Sequence, residues 1–207
     1  MHIRVYFCYY EKIGAEVKNI TEEILFDIPE KWEWTRLSNV CDYIHRGKSP
    51  VYGTTKKLPI IAQKCNQWDK IYIEKCLFAE ECTIEKYTQE QFLSIGDIII
   101  NSTGTGTVGR TGYIEQYIFQ DYLNFVADSH VTVVRANHLL FAKYLYLFLK
   151  SPQIQTDIEA RCSGSTNQIE LATSTICEYL VPIPPFQEQL RIVKLHDTLI
   201  NKLKDKI

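Results

Sequence analysis

The stretch Val181-Pro182-Ile183-Pro184-Pro185-Phe186 constrains this chain most. Its prolines fix φ, remove backbone donors and push the preceding residues towards extended geometry, so the run cannot be helical. Neither Gly nor Pro occurs from Phe186 to Ile207. Proline is favoured at the first helical position, so Pro185 is expected to open a long helix, with Glu188 in the first turn where negative charge suits the dipole. Ile192, Leu195, Leu199 and Leu203 fall at helical spacing, and Ile200 and Ile207 widen the stripe. Lys202, Lys204 and Lys206 occupy the other faces. Such a helix is expected to dock on another helix, the alternative being a terminal helix packed on its own domain.

The remaining chain is long enough for one good core: 207 residues, 45% hydrophobic. A net charge of −2 gives no global sign of a polyanion partner, but the charge is segregated. Residues 31–75 hold nine Lys/Arg against four Asp/Glu, and residues 76–128 hold two against eight. A basic segment of this kind is a nucleic-acid footprint or a solvated face. The seven cysteines form no Cys-x-x-Cys, and no His pair completes a zinc spacing, so neither metal nor cofactor is expected. Scattered free thiols suit a reducing, cytoplasmic setting. No stretch has the apolar length of a membrane span, and residues 1–10 lack a small-residue cleavage site, so neither membrane contact nor a signal peptide is expected.

Residues 1–27 read as a peripheral segment, with a possible strand from Ile3 to Tyr10 and a weakly helical acidic piece after it. Ile28 to Trp34 is expected to start the compact domain, which runs to residue 181, with the hinge and spacer helix in 182–207. Leu58–Ala62, Ile71–Ile73, Ile98–Asn101 and Val131–Val134 read as strands, and Phe141–Leu149 as a helix closed by Ser151-Pro152. Strands early and helices late predict an α+β domain rather than alternating βαβ units, followed by a long coiled-coil-type helix.

Three patterns point elsewhere and fail on local context. Gly104-Thr105-Gly106-Thr107-Val108-Gly109 matches a dinucleotide fingerprint, but Arg110-Thr111-Gly112-Tyr113-Ile114 continues as strand where that site needs a helix. A glycine-rich β-turn is the better reading. Ile183-Pro184-Pro185-Phe186 resembles the signature of amino-methyltransferases, yet Ile183 cannot accept the hydrogen bond that holds a target amine. Asp128, Ser129 and His130 are adjacent, so they point to alternate faces and cannot form a proton relay.

Several segments together resemble the specificity subunits of type I restriction-modification systems. They are Trp32-x-Trp34-x-x-Leu37 with Gly47-Lys48-Ser49-Pro50, the glycine-rich centre Gly96 to Arg110, Asp128-Ser129-His130-Val131, Ser163 to Gln168, and the Pro-Pro-Phe-x-Glu-Gln helix. The resemblance implies a strand-rich target-recognition domain that clamps double-stranded DNA without catalysis of its own. A methyltransferase (modification) subunit would bind around the helix, and a motor-nuclease (restriction) subunit would join. The family has two recognition domains and two helices, so a second domain is expected in trans or in a longer chain. The expected DNA contacts lie in three polar loops. The first holds Arg46 and Lys48, with Lys64, Asn66, Gln67, Trp68 and Lys70 in the stretch that follows. The second holds Thr103, Thr105, Thr107 and Arg110, and the third Ser163, Ser165, Thr166, Asn167 and Gln168. Lys48 and Lys64 are expected on phosphates, Asn66 and Gln67 on base edges. Phe186, Ile192, Leu195, Leu199, Ile200 and Leu203 are the expected subunit interface. The rival readings are a protein-interaction module that dimerises through the helix, and a nucleotide-binding enzyme resting on the glycine run alone.

Overall fold

The computed structural model describes residues 8–164 and 169–204. The chain begins with β1 (Tyr10–Ile13) and β2 (Glu16–Asn19), then β3 (Glu33–Arg36), α1 (Leu37–Val40) and β4 (Cys41–Arg46). It continues through β5 (Tyr52–Gly53), β6 (Pro59–Ile61), β7 (Leu77–Ala79), β8 (Ile98–Asn101), β9 (Thr111–Tyr113), β10 (Val126–Ala127) and β11 (Val131–Ala136). The last third holds α2 (Ala142–Lys150), α3 (Pro152–Ala160), α4 (Thr173–Cys177), β12 (Leu180–Ile183) and α5 (Phe186–Lys204).

A central antiparallel sheet of order β4-β11-β8-β9 separates two cores. Successive side chains on a strand point to opposite faces. Ile98, Ile100 and Val134 therefore face the helical layer, where Leu145, Leu149, Ile154, Ile158 and Ile176 pack. Ile99, Val131 and Val133 face the other side, against Ile61, Ile114, Ile118 and Phe125. Burial on both faces explains why Ile98-Ile99-Ile100 is continuous rather than alternating. A mixed sheet of order β10-β6-β7-β5 covers the second face, and β12 pairs with β3 to close the domain where the chain leaves it.

Several local expectations change. Ile71–Ile73 is not a strand: Ile71 makes a single bridge to Asn66, and a 3-10 turn follows from Ile73 to Lys75. Ser151-Pro152 closes α2 as read, but Pro152 at once opens α3. The acidic piece after Tyr10 is a hairpin with a 3-10 turn at Thr21–Glu23. It is fastened to the domain, because Arg36, only 6% exposed, reaches Glu11 at 2.8 Å, Glu23 at 2.7 Å and the Glu178 carbonyl at 2.8 Å. The Arg36 guanidinium holds the Glu23 carboxyl down at about 2.

The long helix is present and begins one residue late. Pro185 stands before its first turn and gives its carbonyl to the Glu188 and Gln189 amides. Gln189, fully buried, pins the helix root. Its Oε1 accepts from the Phe141 amide at 2.7 Å, and its Nε2 donates to the Leu139 and Pro184 carbonyls at 3.1 and 3.0 Å. Val193 is buried and Ile192 packs against the core. Beyond them Leu195, Leu199 and Leu203 are each more than half exposed, and Ile200 is exposed as well.

Candidate nucleic-acid interface

The loops at one end of the central sheet meet in a continuous rim. The chain crosses itself tightly at Gly47, where a Cβ would stand 1.9 Å from the Ala127 carbonyl oxygen. Only glycine lets the 46–49 turn lie against the end of β10 in this way. The Lys48 backbone then pairs with that of Asp128 in a single parallel β-bridge, and the Ser49 hydroxyl lies 3.2 Å from that of Ser129. Asp128 is buried and accepts the His130 amide at 2.7 Å, and burial raises its carboxyl above the usual range.

His130 is exposed, and its Nδ1 lies 2.9 Å from the Thr103 hydroxyl. Gln63 donates its amide to the Thr103 carbonyl at 2.9 Å and also to its hydroxyl. Thr103 bridges to Glu170, as does Ser163, and Arg46 reaches both the Glu170 carboxylate at 2.8 Å and the Leu171 carbonyl at 2.9 Å. Five segments far apart in sequence thus form one strip.

The glycine-rich run makes a turn, not a phosphate-binding loop before a helix. Gly104, Gly106 and Gly109 take positive φ, and Arg110 leads directly into β9. Thr107 closes the turn on the Thr103 and Gly104 carbonyls, and Thr105 stands exposed at its outer side.

The expected DNA contacts divide on this geometry. Lys64, Trp68, Lys70 and Ser163 are exposed, as is Lys48, whose ammonium is held by the Lys86 carbonyl and lies over the Tyr87 ring. Thr103, Thr105 and Thr107 line the turn on the rim. Asn66 does not face outward. It is fully buried, and its amide donates to Asn101 Oδ1 at 3.0 Å and the Arg110 carbonyl at 2.9 Å, satisfying acceptors between β8 and β9.

Arg110 is 8% exposed and serves as an internal clamp. It donates to Gln67 Oε1 at 2.7 Å and to the Asn66 and Gly106 carbonyls, while Trp68 covers its guanidinium. Gln67 is half-buried, with its other amide end on the Lys64 carbonyl at 2.9 Å. Asn66, expected on a base edge, is a core residue, and Arg110, expected among the DNA contacts of the second loop, is a brace between two loops. Ser165, Thr166, Asn167 and Gln168 lie outside the described residues, as does Ile207.

Gln63 and His130 were not among the expected contacts, yet both stand on the rim. Gln63 directly follows the strand read at Leu58–Ala62, and His130 lies in the Asp-Ser-His segment. Their position where strands end at the Gly47 crossing is the signal that marks them.

These features define an α+β head with a polar rim, carried on a projecting helix. The chain belongs to the type I restriction modification DNA specificity domain family, whose model matches residues 29–207.

Among solved structures it is similar to the HsdS subunit from Thermoanaerobacter tengcongensis, at 21% identity and a TM-score of 0.62, over 95% of this chain and 41% of that one. A chain from a structure of type I R-M complex assembly and conformational transition matches at 22% identity and a TM-score of 0.64, over 87% of this chain and 41% of that one. The S subunit from M. genitalium gives 15% and 0.55, over 87% and 42%. These likenesses are of fold, and the chain spans about two-fifths of the length of each. No curated protein is similar enough to match.

Proposed function

We propose that the chain is the target-recognition half of a type I restriction-modification specificity subunit. It reads duplex DNA with its rim and performs no chemistry. A methyltransferase subunit engages α5 through Leu195, Leu199, Ile200 and Leu203, with Phe186 and Ile192 at the root, and a motor-nuclease subunit joins that assembly. Residues 28–181 form the head and 182–207 the arm that meets a second recognition domain.

The observation that carries this reading is the convergence of the 46–49, 63–70, 103–107 and 128–130 segments with Ser163 and Glu170 on one strip. Sequence choice needs amide and imidazole groups at base edges, with cations and small hydroxyls on phosphates. Gln63 and His130 supply the first, and Lys48, Lys64, Lys70, Thr103 and Thr105 the second. A net charge of −2 leaves phosphate attraction modest, so the methyltransferase contributes much of it.

The test is selection from a pool of random duplexes by the chain purified with its methyltransferase subunit. Enrichment of one sequence that is lost in a Gln63→Ala, His130→Ala variant supports the reading. An unenriched pool refutes it. The exposed stripe on α5 favours a second reading, a pure interaction module, and that reading predicts the unenriched pool with assembly intact.

A further inference from the structure

Beneath the rim lies a pair of thiols. Cys65 opens a tight hairpin in which the Gln67 amide donates to the Lys70 carbonyl at 3.1 Å and the Tyr72 amide to the Cys65 carbonyl at 2.8 Å. The chain returns through the 3-10 turn, and Cys76 follows it. The two sulfurs are 3.7 Å apart, with the Cys76 thiol donating to Cys65. Both residues are buried in the core on the β6 side of the central sheet. The hairpin between them presents Trp68 and Lys70 and holds Gln67 against Arg110.

We propose that Cys65 and Cys76 are a modification site, oxidised by a peroxide to an intramolecular disulfide that staples the base of the rim hairpin. Cys65, its proton given to solvent, attacks one peroxide oxygen. The O–O bond breaks, hydroxide leaves and is protonated to water, and Cys65 becomes a sulfenic acid. The Cys76 sulfur then attacks the Cys65 sulfur, the S–O bond breaks, and the hydroxyl leaves as a second water with the Cys76 proton. Two electrons pass from the two sulfurs to one peroxide.

The arrangement suits these roles. The Cys76 thiol bonded to Cys65 draws the Cys65 pKa down, while that same bond and burial push Cys76 up, so Cys65 is the more readily ionised of the two. The sulfurs, already in contact at 3.7 Å, close to about 2.05 Å when the bond forms. Burial of both sulfurs makes the reaction slower than at the exposed Cys8 and Cys82. None of this depends on DNA binding.

The test treats the full chain with hydrogen peroxide, blocks remaining thiols under denaturing conditions, and maps the peptides. The expected product is a Cys65–Cys76 linked peptide, accompanied by amide exchange in residues 66–75 slowed by about tenfold or more. In Cys76→Ser the link is absent and Cys65 is captured by dimedone as the sulfenic acid. Cys65 and Cys76 both found alkylated after Cys8 and Cys82 have been oxidised would overturn the proposal. A linked peptide with unchanged exchange in 66–75 would overturn the staple.

Discussion

At the scale of single residues, the rim separates side chains that face solvent from those that face the protein, although all of them are polar. Lys64 is exposed, and replacing it with Ala is expected to weaken the complex on every duplex and to lower the salt slope by about one, for one phosphate lost. Binding measured across a salt series checks this. Asn66→Ala acts elsewhere. It leaves Asn101 Oδ1 without a donor in a buried site and takes from the Arg110 carbonyl one of its two donors, the other being the Asn101 amide, and is expected to cost about 1–3 kcal/mol in denaturant unfolding. The sequence puts both residues in one polar stretch, as expected DNA contacts. Local sequence could not separate them, because the need for a donor at Asn66 comes from acceptors on Asn101 and Arg110, more than thirty residues away in sequence. Arg110 was hidden for a similar reason, since its acceptors belong to two different loops.

At the scale of elements, the proline break and the apolar stripe were legible, and α5 follows them to within a residue. The root of the helix was not legible. The Pro-Pro-Phe-x-Glu-Gln wording suggested family likeness but not that Gln189 would be the buried peg. Gln189→Ala removes three hydrogen bonds and strands the Phe141 amide, with an expected loss of about 2–4 kcal/mol in the unfolding of the whole head. The outer half of the helix behaves differently. Leu195→Lys with Leu199→Lys is expected to change the unfolding free energy of the isolated chain by less than about 0.5 kcal/mol, since both side chains already meet solvent. The same pair is expected to abolish co-purification with the methyltransferase subunit. Loss of stability from the lysine pair would place the stripe on the head instead. The turn following Ile71 was misread because a short apolar run does not distinguish a strand from a 3-10 turn, and the packing of Ile71 against the second core decides it.

For the molecule as a whole, the α+β class was readable from strands early and helices late. The layering was not, because pairing of β10 with β6 and of β12 with β3 joins segments that carry no mutual signal in the chain. The attachment of the N-terminal hairpin was equally hidden, since Arg36 looked like one charge among many. That clasp carries a pH prediction. The Glu23 carboxyl titrates near 4.5 when free and at about 2 in the fold, so its contribution is complete above 4.5 and is lost as pH falls from 4.5 towards 2. Pepsin cleavage within residues 8–27 is expected to rise across that window while the head stays intact, and in Arg36→Ala the hairpin is expected to be loose at neutral pH. The peg at Gln189 has a wider meaning. Two of its three partners are main-chain groups at 139 and 141, and the third is the carbonyl of Pro184, so no neighbouring side chain takes part. Side chains around the elbow can therefore change without breaking this peg, and one amide, with Val193 and Ile192 packed beside it, carries the setting of the arm on the head.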